Sequence, residues 1–230
     1  MIKFDKVSKK FGEVVALQDV SFKIEPGEFV FLIGPSGAGK TTIAKLIIRE
    51  YLPSEGTIEI VGMDLAKIPR KKIPQLRRMI GTVFQDLKLL ADRTVFENVA
   101  MTLKVLGEKE EKISEEVANV LKLVGLTERA DFFPAQLAGG ELQRVCIARA
   151  VIGKPEIIIA DEPTGNLDIG TARQIVKLLK KINEMGKTII MATHNFEIVN
   201  TFQERVIQLD KGKIISDKKK GRYNLNERSS

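Results

Sequence analysis

Ten residues near the N-terminus, IGPSGAGKTT (Ile33–Thr42), hold three glycines, a proline, a lysine and three hydroxyl side chains. Such a run fills no core, but it can wrap an anion. Gly34-Pro35-Ser36-Gly37-Ala38-Gly39-Lys40-Thr41 satisfies the spacing G-x-x-x-x-G-K-[ST]. Glycines let the backbone curl so that successive N–H groups point inward at phosphate oxygens. A helix following the loop adds the partial positive charge of its N-terminus. In this arrangement Lys40 reaches the β- and γ-phosphates of a nucleoside triphosphate, and the Thr41 hydroxyl ligates Mg²⁺.

A triphosphate site also needs a carboxylate for the metal and a group that activates water. IIIADE (Ile157–Glu162) supplies both at the end of a hydrophobic run. At the carboxyl end of a parallel strand its carboxylates emerge where open α/β sheets bind ligands. Asp161 is therefore expected at the metal, through water, and Glu162 at the attacking water as general base or orienter. His194, the one histidine, ends a second apolar run, TIIMAT. It is expected on the same edge, hydrogen-bonding a phosphate oxygen and sensing its loss.

The elements that must position these groups are legible. FVFLI (Phe29–Ile33) is apolar on both faces, as a strand buried on both sides requires. KTTIAKLIIREYL predicts a helix with no breaker before Pro53. The stretch from Thr94 to Gly125 has helical spacing, interrupted by GEKEEK (Gly107–Lys112). TARQIVKLLKKINEMG (Thr171–Gly186) is amphipathic, with Ile175, Leu178, Leu179 and Ile182 on one face and Gly186 as the stop. RVIQLDKGKIIS predicts a hairpin turning at Lys211-Gly212. Buried strands alternating with helices indicate an α/β fold with a mostly parallel sheet.

The chain has 230 residues and is 43% hydrophobic, which suits one globular unit. No apolar run is long enough to span a bilayer, and the first residues lack a signal-peptide core. A cytoplasmic protein is the expectation. The single cysteine, Cys146, fits that and reads as packing. The net charge of +7 admits anionic partners. Part of it lies in PRKKIPQLRR (Pro69–Arg78) and part in KKKGR (Lys218–Arg222). Four basic residues at an anionic membrane contribute about 1 kcal/mol each. The resulting affinity is about millimolar, so that tail alone holds nothing at a membrane.

Together these motifs resemble those of the ATP-binding cassette (ABC) ATPases, along essentially the whole chain. GPSGAGKT resembles the Walker A loop and IIIADE the Walker B strand with its catalytic glutamate. The resemblance implies a P-loop NTPase fold in a single domain spanning 1–230. It has a mostly parallel RecA-like core, an N-terminal antiparallel β subdomain, and an inserted helical subdomain at about 88–154. It implies Mg²⁺-dependent ATP hydrolysis, with Lys40, Gln85, Glu162 and His194 in the chemistry and Thr41, Gln85 and Asp161 at the metal. Ser36, Gly37, Ala38, Gly39, Lys40, Thr41 and Thr42 hold the nucleotide, and Phe11 occupies the place of the ring stacked on adenine. GNLD (Gly165–Asp168) resembles the D-loop. LAGGE (Leu137–Glu141) stands where the family carries its signature motif, so Leu137, Ala138, Gly139, Gly140 and Asp168 would serve the nucleotide across an ATP-dependent homodimer. Ala138 departs from the usual serine, and Leu142 from the usual glutamine, which puts the turnover rate in question.

Phe84–Ala100 (FQDLKLLADRTVFENVA), together with Glu141, resembles the cell-division branch of bacterial ABC ATPases. That implies a polytopic, FtsX-like membrane partner, indirect control of a cell-wall hydrolase, and a peripheral place on the cytoplasmic face of the plasma membrane. The alternative is the ATPase of a lipoprotein or macrolide exporter. No direct nucleic-acid contact is expected, because nucleic-acid-associated members carry two cassettes or a long coiled coil. A binding-only pseudoenzyme is the third reading, prompted by Ala138.

Overall fold

A computed structural model describes residues 1–220; the end of the basic tail, from Gly221 onward, lies outside the described residues. The chain opens with β1 (Ile2–Phe11), β2 (Val14–Ile24) and β3 (Phe29–Ile33), then α1 (Lys40–Ile47). It continues through β4 (Glu55–Ile60), β5 (Met63–Asp64), α2 (Ile73–Arg78) and β6 (Ile80–Val83). Three helices follow: α3 (Val95–Val105), α4 (Glu110–Val124) and α5 (Gly139–Val151). The last part runs β7 (Ile157–Asp161), α6 (Ile169–Glu184), β8 (Thr188–Thr193), α7 (Phe196–Phe202), β9 (Arg205–Asp210) and β10 (Lys213–Lys218).

Two sheets form. One is antiparallel, in the order β2-β1-β4-β5. The other, β10-β9-β3-β8-β7-β6, is parallel except for the antiparallel edge strand β10. The fold is thus an α/β cassette with a mostly parallel core sheet, an antiparallel β layer and a helical insertion. The Pro26-Gly27 turn separates strands that go to different sheets, so β2 and β3 do not pair as a hairpin.

The parallel strands are buried on both faces, which explains their unbroken apolar runs. Alternate residues go to different cores. Phe29, Phe31 and Ile33 of β3 join Ile158 and Ala160 of β7 beneath the helices. Val30 and Leu32 join Ile157 and Ile159 on the side of α1 and the antiparallel sheet. Register then aligns the strand ends: Ile33 lies opposite Thr193, Asp161 opposite Ala192, and Val83 opposite Ala160. The loops leaving β3, β6, β7 and β8 therefore open on one edge.

Two helices differ from the sequence expectation. α1 ends at Ile47, well before Pro53. Arg49 adopts left-handed backbone, φ 52, and its guanidinium donates to Leu65 O at 2.8 Å and Ile68 O at 3.3 Å. A tertiary anchor here overrides good local helix propensity. α6 begins at Ile169 rather than Thr171, because the Asp168 carboxylate caps it, accepting from the Thr171 amide at 3.0 Å. The start of α3 carries a full capping box between Thr94 and Glu97. Among the described residues no helix is long and apolar enough to cross a membrane. Cys146 is buried in α5, where burial pushes its thiol up to about 11, and it donates to Leu87 O at 3.2 Å.

Candidate functional site

The shared edge of the parallel strands holds a cleft of about 440 Å³. Ser36, Gly37, Gly39, Lys40, Thr41, Thr42, Gln85, Glu162 and His194 all line it, together with Ala16 and Pro35. Ala16 comes from β2 of the other sheet, and nothing in its local sequence marks it.

The loop after β3 delivers the start of α1 to this cleft. The first amides of a helix have no intrahelical acceptor. The N-cap of α1 is Gly39, which has no side chain to cap them, and no acidic residue lies in the first turn, so the positive end of the helix is left for an outside anion. Lys40 is buried, and its Nζ donates to Gly34 O at 2.9 Å and Pro35 O at 3.1 Å. The Ala38 amide instead donates to Pro35 O at 3.2 Å and its side chain is buried, so Ala38 shapes the loop rather than facing the cleft.

Glu162 leaves β7 in left-handed backbone, φ 48. Strain of this kind persists only where surrounding structure enforces it. Here the Glu162 amide donates to Ala192 O at 2.9 Å and its carbonyl accepts from Gly165 at 3.2 Å. The turn sends the carboxylate between the His194 ring and the Lys40 ammonium. Its Oε1 lies 2.9 Å from His194 Nδ1 and 3.7 Å from Lys40 Nζ. A carboxylate only accepts, so His194 donates from Nδ1 and its Nε2 remains for another partner. Among the described residues Glu162 Oε2 and Asp161 Oδ1 are buried without a hydrogen-bond partner. Burial holds Asp161 above the ordinary carboxylate range, while the Thr41 hydroxyl beside it pulls the other way. Thr41 and Asp161 also line a small pocket beside the main cleft.

These orphaned carboxylate oxygens are where a cation and a water fit. Among the described residues no three His, Cys, Asp or Glu side chains cluster as a complete metal site. A hard divalent ion held by one carboxylate, a hydroxyl and substrate phosphates needs no such cluster. The donors present suit Mg²⁺: Thr41, Asp161 and the Gln85 amide oxygen.

Other sequence-expected residues lie apart from the cleft. Phe11 is exposed, so it is no core ring; it meets Tyr51 edge-on at 5.0 Å, with Lys9 Nζ 4.9 Å from its centroid. Tyr51 went unnoticed in the sequence because only the fold brings it to Phe11. Asp168 spends its carboxylate on the α6 cap, and the Thr171 hydroxyl and amide hold it below the usual range. Leu137, Ala138, Gly139 and Gly140 do not line the cleft. Gly139 instead lines a second cavity of about 330 Å³, which shares Gln85 and Glu162 with the first.

Ala138 is the N-cap of α5 and has no hydroxyl to cap with. Glu141 provides half a capping box, its Oε2 accepting from the Ala138 amide at 2.9 Å. Ala138→Ser completes the box. The expected gain is about 1 kcal/mol, read as a rise of about 2–4 °C in thermal midpoint.

The ABC transporter family model matches residues 17–165. The cell division ATP-binding protein FtsE of Bacillus subtilis is 52% identical over 224 residues, covering 97% of this chain and 98% of that protein. A dimeric structure of MJ0796, a bacterial ABC transporter cassette, superposes with a TM-score of 0.86 at 38% identity, covering 97% of this chain and all 100% of the other. A dimeric post-hydrolysis state of the same cassette, bound to ADP and Pi, gives 0.86 at 37% identity over the same shares.

Proposed function

The chain belongs to the ABC transporter family, and from that premise we propose that it is the ATP-hydrolysing subunit of a membrane-associated complex of bacterial cell division. The observation that carries the chemistry is Glu162. One of its carboxylate oxygens is tied to His194 and Lys40, and the other is buried without a partner among the described residues.

In this reading Ser36, Gly37 and the first amides of α1 wrap the phosphates of ATP. Lys40 turns from its loop carbonyls to the β- and γ-phosphate oxygens. Thr41, Asp161 and Gln85 would hold Mg²⁺, which when bound would neutralise charge on those phosphates. Glu162 accepts a proton from water at Oε2 as the water oxygen attacks the γ-phosphorus. The bond to the β–γ bridging oxygen breaks, leaving ADP and phosphate. His194 keeps Glu162 aimed, and an Nε2–H of its ring donates to a γ-phosphate oxygen. Phe11, exposed beside Tyr51, receives the adenine.

Two copies close on two ATP molecules, with Leu137–Gly140 and Asp168 of each serving the nucleotide of the other. The absence of Leu137–Gly140 from their own cleft supports this. Ala138 lacks one hydroxyl toward that nucleotide, so closure is weaker than a serine would make it. The Ala138→Ser variant is therefore expected to dimerise at an ATP concentration about tenfold lower, the worth of one hydrogen bond to a charged group. A cassette lacking any membrane-spanning helix among its described residues reaches the membrane through an FtsX-like polytopic partner, whose downstream target is a cell-wall hydrolase. The exporter alternative is set aside because a nearly full-length relative at 52% identity carries a cell-division name.

The test is co-purification of the full chain with the membrane protein encoded beside it. Retention of a partner with four membrane spans, and phosphate release that rises in its presence, is the expected result. A soluble chain that ignores that protein overturns the cell-division reading while leaving the ATPase reading standing.

A further inference from the structure

Arg149, in the last turn of α5, lines no part of the cleft. Its guanidinium nevertheless makes two of the shorter hydrogen bonds near the site. Nη1 donates to Lys88 O at 2.6 Å and Nη2 to Leu87 O at 2.7 Å. The two residues it grips are both in left-handed backbone, with φ 46 at Leu87 and φ 51 at Lys88. The Lys88 amide also donates to Asp86 O. Two consecutive L-residues in this region crowd Cβ against the carbonyl, a cost glycine does not carry.

The strain begins two residues after Gln85, which lines both the cleft and its neighbouring cavity. The anchor itself is firm. Arg149 O accepts from the Thr102 hydroxyl at 3.3 Å, joining α5 to α3. Cys146, one turn earlier on α5, donates to the same Leu87 carbonyl. A planar guanidinium suits two adjacent acceptors as an ammonium does not.

We propose that Arg149 is a positioning residue for ATP hydrolysis: its two-pronged grip on the Leu87 and Lys88 carbonyls holds the strained turn and so keeps Gln85 in the cleft. The proposal rests on the reading of Gln85 as a contact to the metal. Because α5 begins at Gly139, it also makes this helix a strut from the signature residues to that glutamine.

The test is a cycle on the full chain. Arg149→Met is made in the native loop and in a loop carrying Leu87→Gly with Lys88→Gly, where the left-handed turn is free of strain. In the native loop kcat is expected to fall about 100-fold, the scale of an ångström-sized misplacement. The KM for ATP stays within about twofold, because nucleotide is still bound by the P-loop. In the glycine loop the same substitution costs about fivefold or less, the difference being the coupling between grip and strain. Equal losses in the two loops, or none in the native loop, overturn the proposal, since an arginine that merely stabilises α5 would be indifferent to the glycines. Should Arg149→Met fail to fold, Arg149→Lys goes through the same pair of loops. A loss of about threefold or more in the native loop that vanishes in the glycine loop supports the proposal, and any other pattern overturns it. Gln85→Ala separates the premise: normal kcat there removes the role given to Gln85, whereas a slow Gln85→Ala beside a fast Arg149→Met removes only the role given to Arg149.

Discussion

Glu162→Gln will lower the rate of phosphate release by about 10²–10⁴-fold, the usual worth of a positioned general base. The side chain amide is nearly isosteric, and its oxygen still accepts from His194 Nδ1, 2.9 Å away in the native protein. The geometry at the end of β7 is therefore retained while the basicity is lost. Lys40 loses a charge partner 3.7 Å away but keeps the Gly34 and Pro35 carbonyls, so the loop stays closed around its lysine. Binding of a fluorescent ATP analogue is expected to be unchanged or tighter. Steady-state phosphate release and analogue titration on the same preparation check both halves. Undiminished release would move the base to another group. Lost binding would make Glu162 a structural partner of Lys40 instead.

Gly34→Ala will destabilise the protein by about 2–6 kcal/mol, combining left-handed strain with overpacking. Gly34 leaves β3 at φ 150, and a Cβ there would lie 2.3 Å from the main-chain oxygen of Leu209. That oxygen cannot retreat easily, because β9 is paired along β3 from Val30 to Ile33. The same shift displaces Gly34 O, one of the two carbonyls that hold Lys40. The thermal midpoint should fall by about 5–20 °C, and ATP binding should weaken with it. Gly37→Ala is the comparison. Its φ is 79, but an added methyl meets nothing within 4 Å, so only the backbone strain applies. Equal losses at Gly34 and Gly37 would show that the approach to Leu209 is not what demands glycine.

Most of the cleft was legible in the sequence because its parts are short motifs whose function depends on local geometry. The spacing from Gly34 to Thr41 dictates a loop that curls and then enters a helix. The apolar runs ahead of Asp161 and His194 dictate strands buried on both faces, and parallel strands deliver their carboxyl ends to one edge. The hairpin turn at Lys211-Gly212 and the stop of α6 before Gly186 follow from φ values glycine accepts readily.

What only the tertiary structure decided are meetings between residues far apart in sequence. No local pattern ends α1 at Ile47; the grip of Arg49 on Leu65 and Ile68 does. Nothing around Glu162 announces that His194 will orient it, since that contact depends on β7 lying beside β8. Tyr51 beside Phe11, Ala16 in the cleft wall and Arg149 beneath the Gln85 loop are of the same kind. Propensity and periodicity act over a few residues, so they determine which elements form and which faces are buried. Strand order and helix packing are settled by burial of those faces against one another, and they alone choose which side chains end within hydrogen-bonding distance.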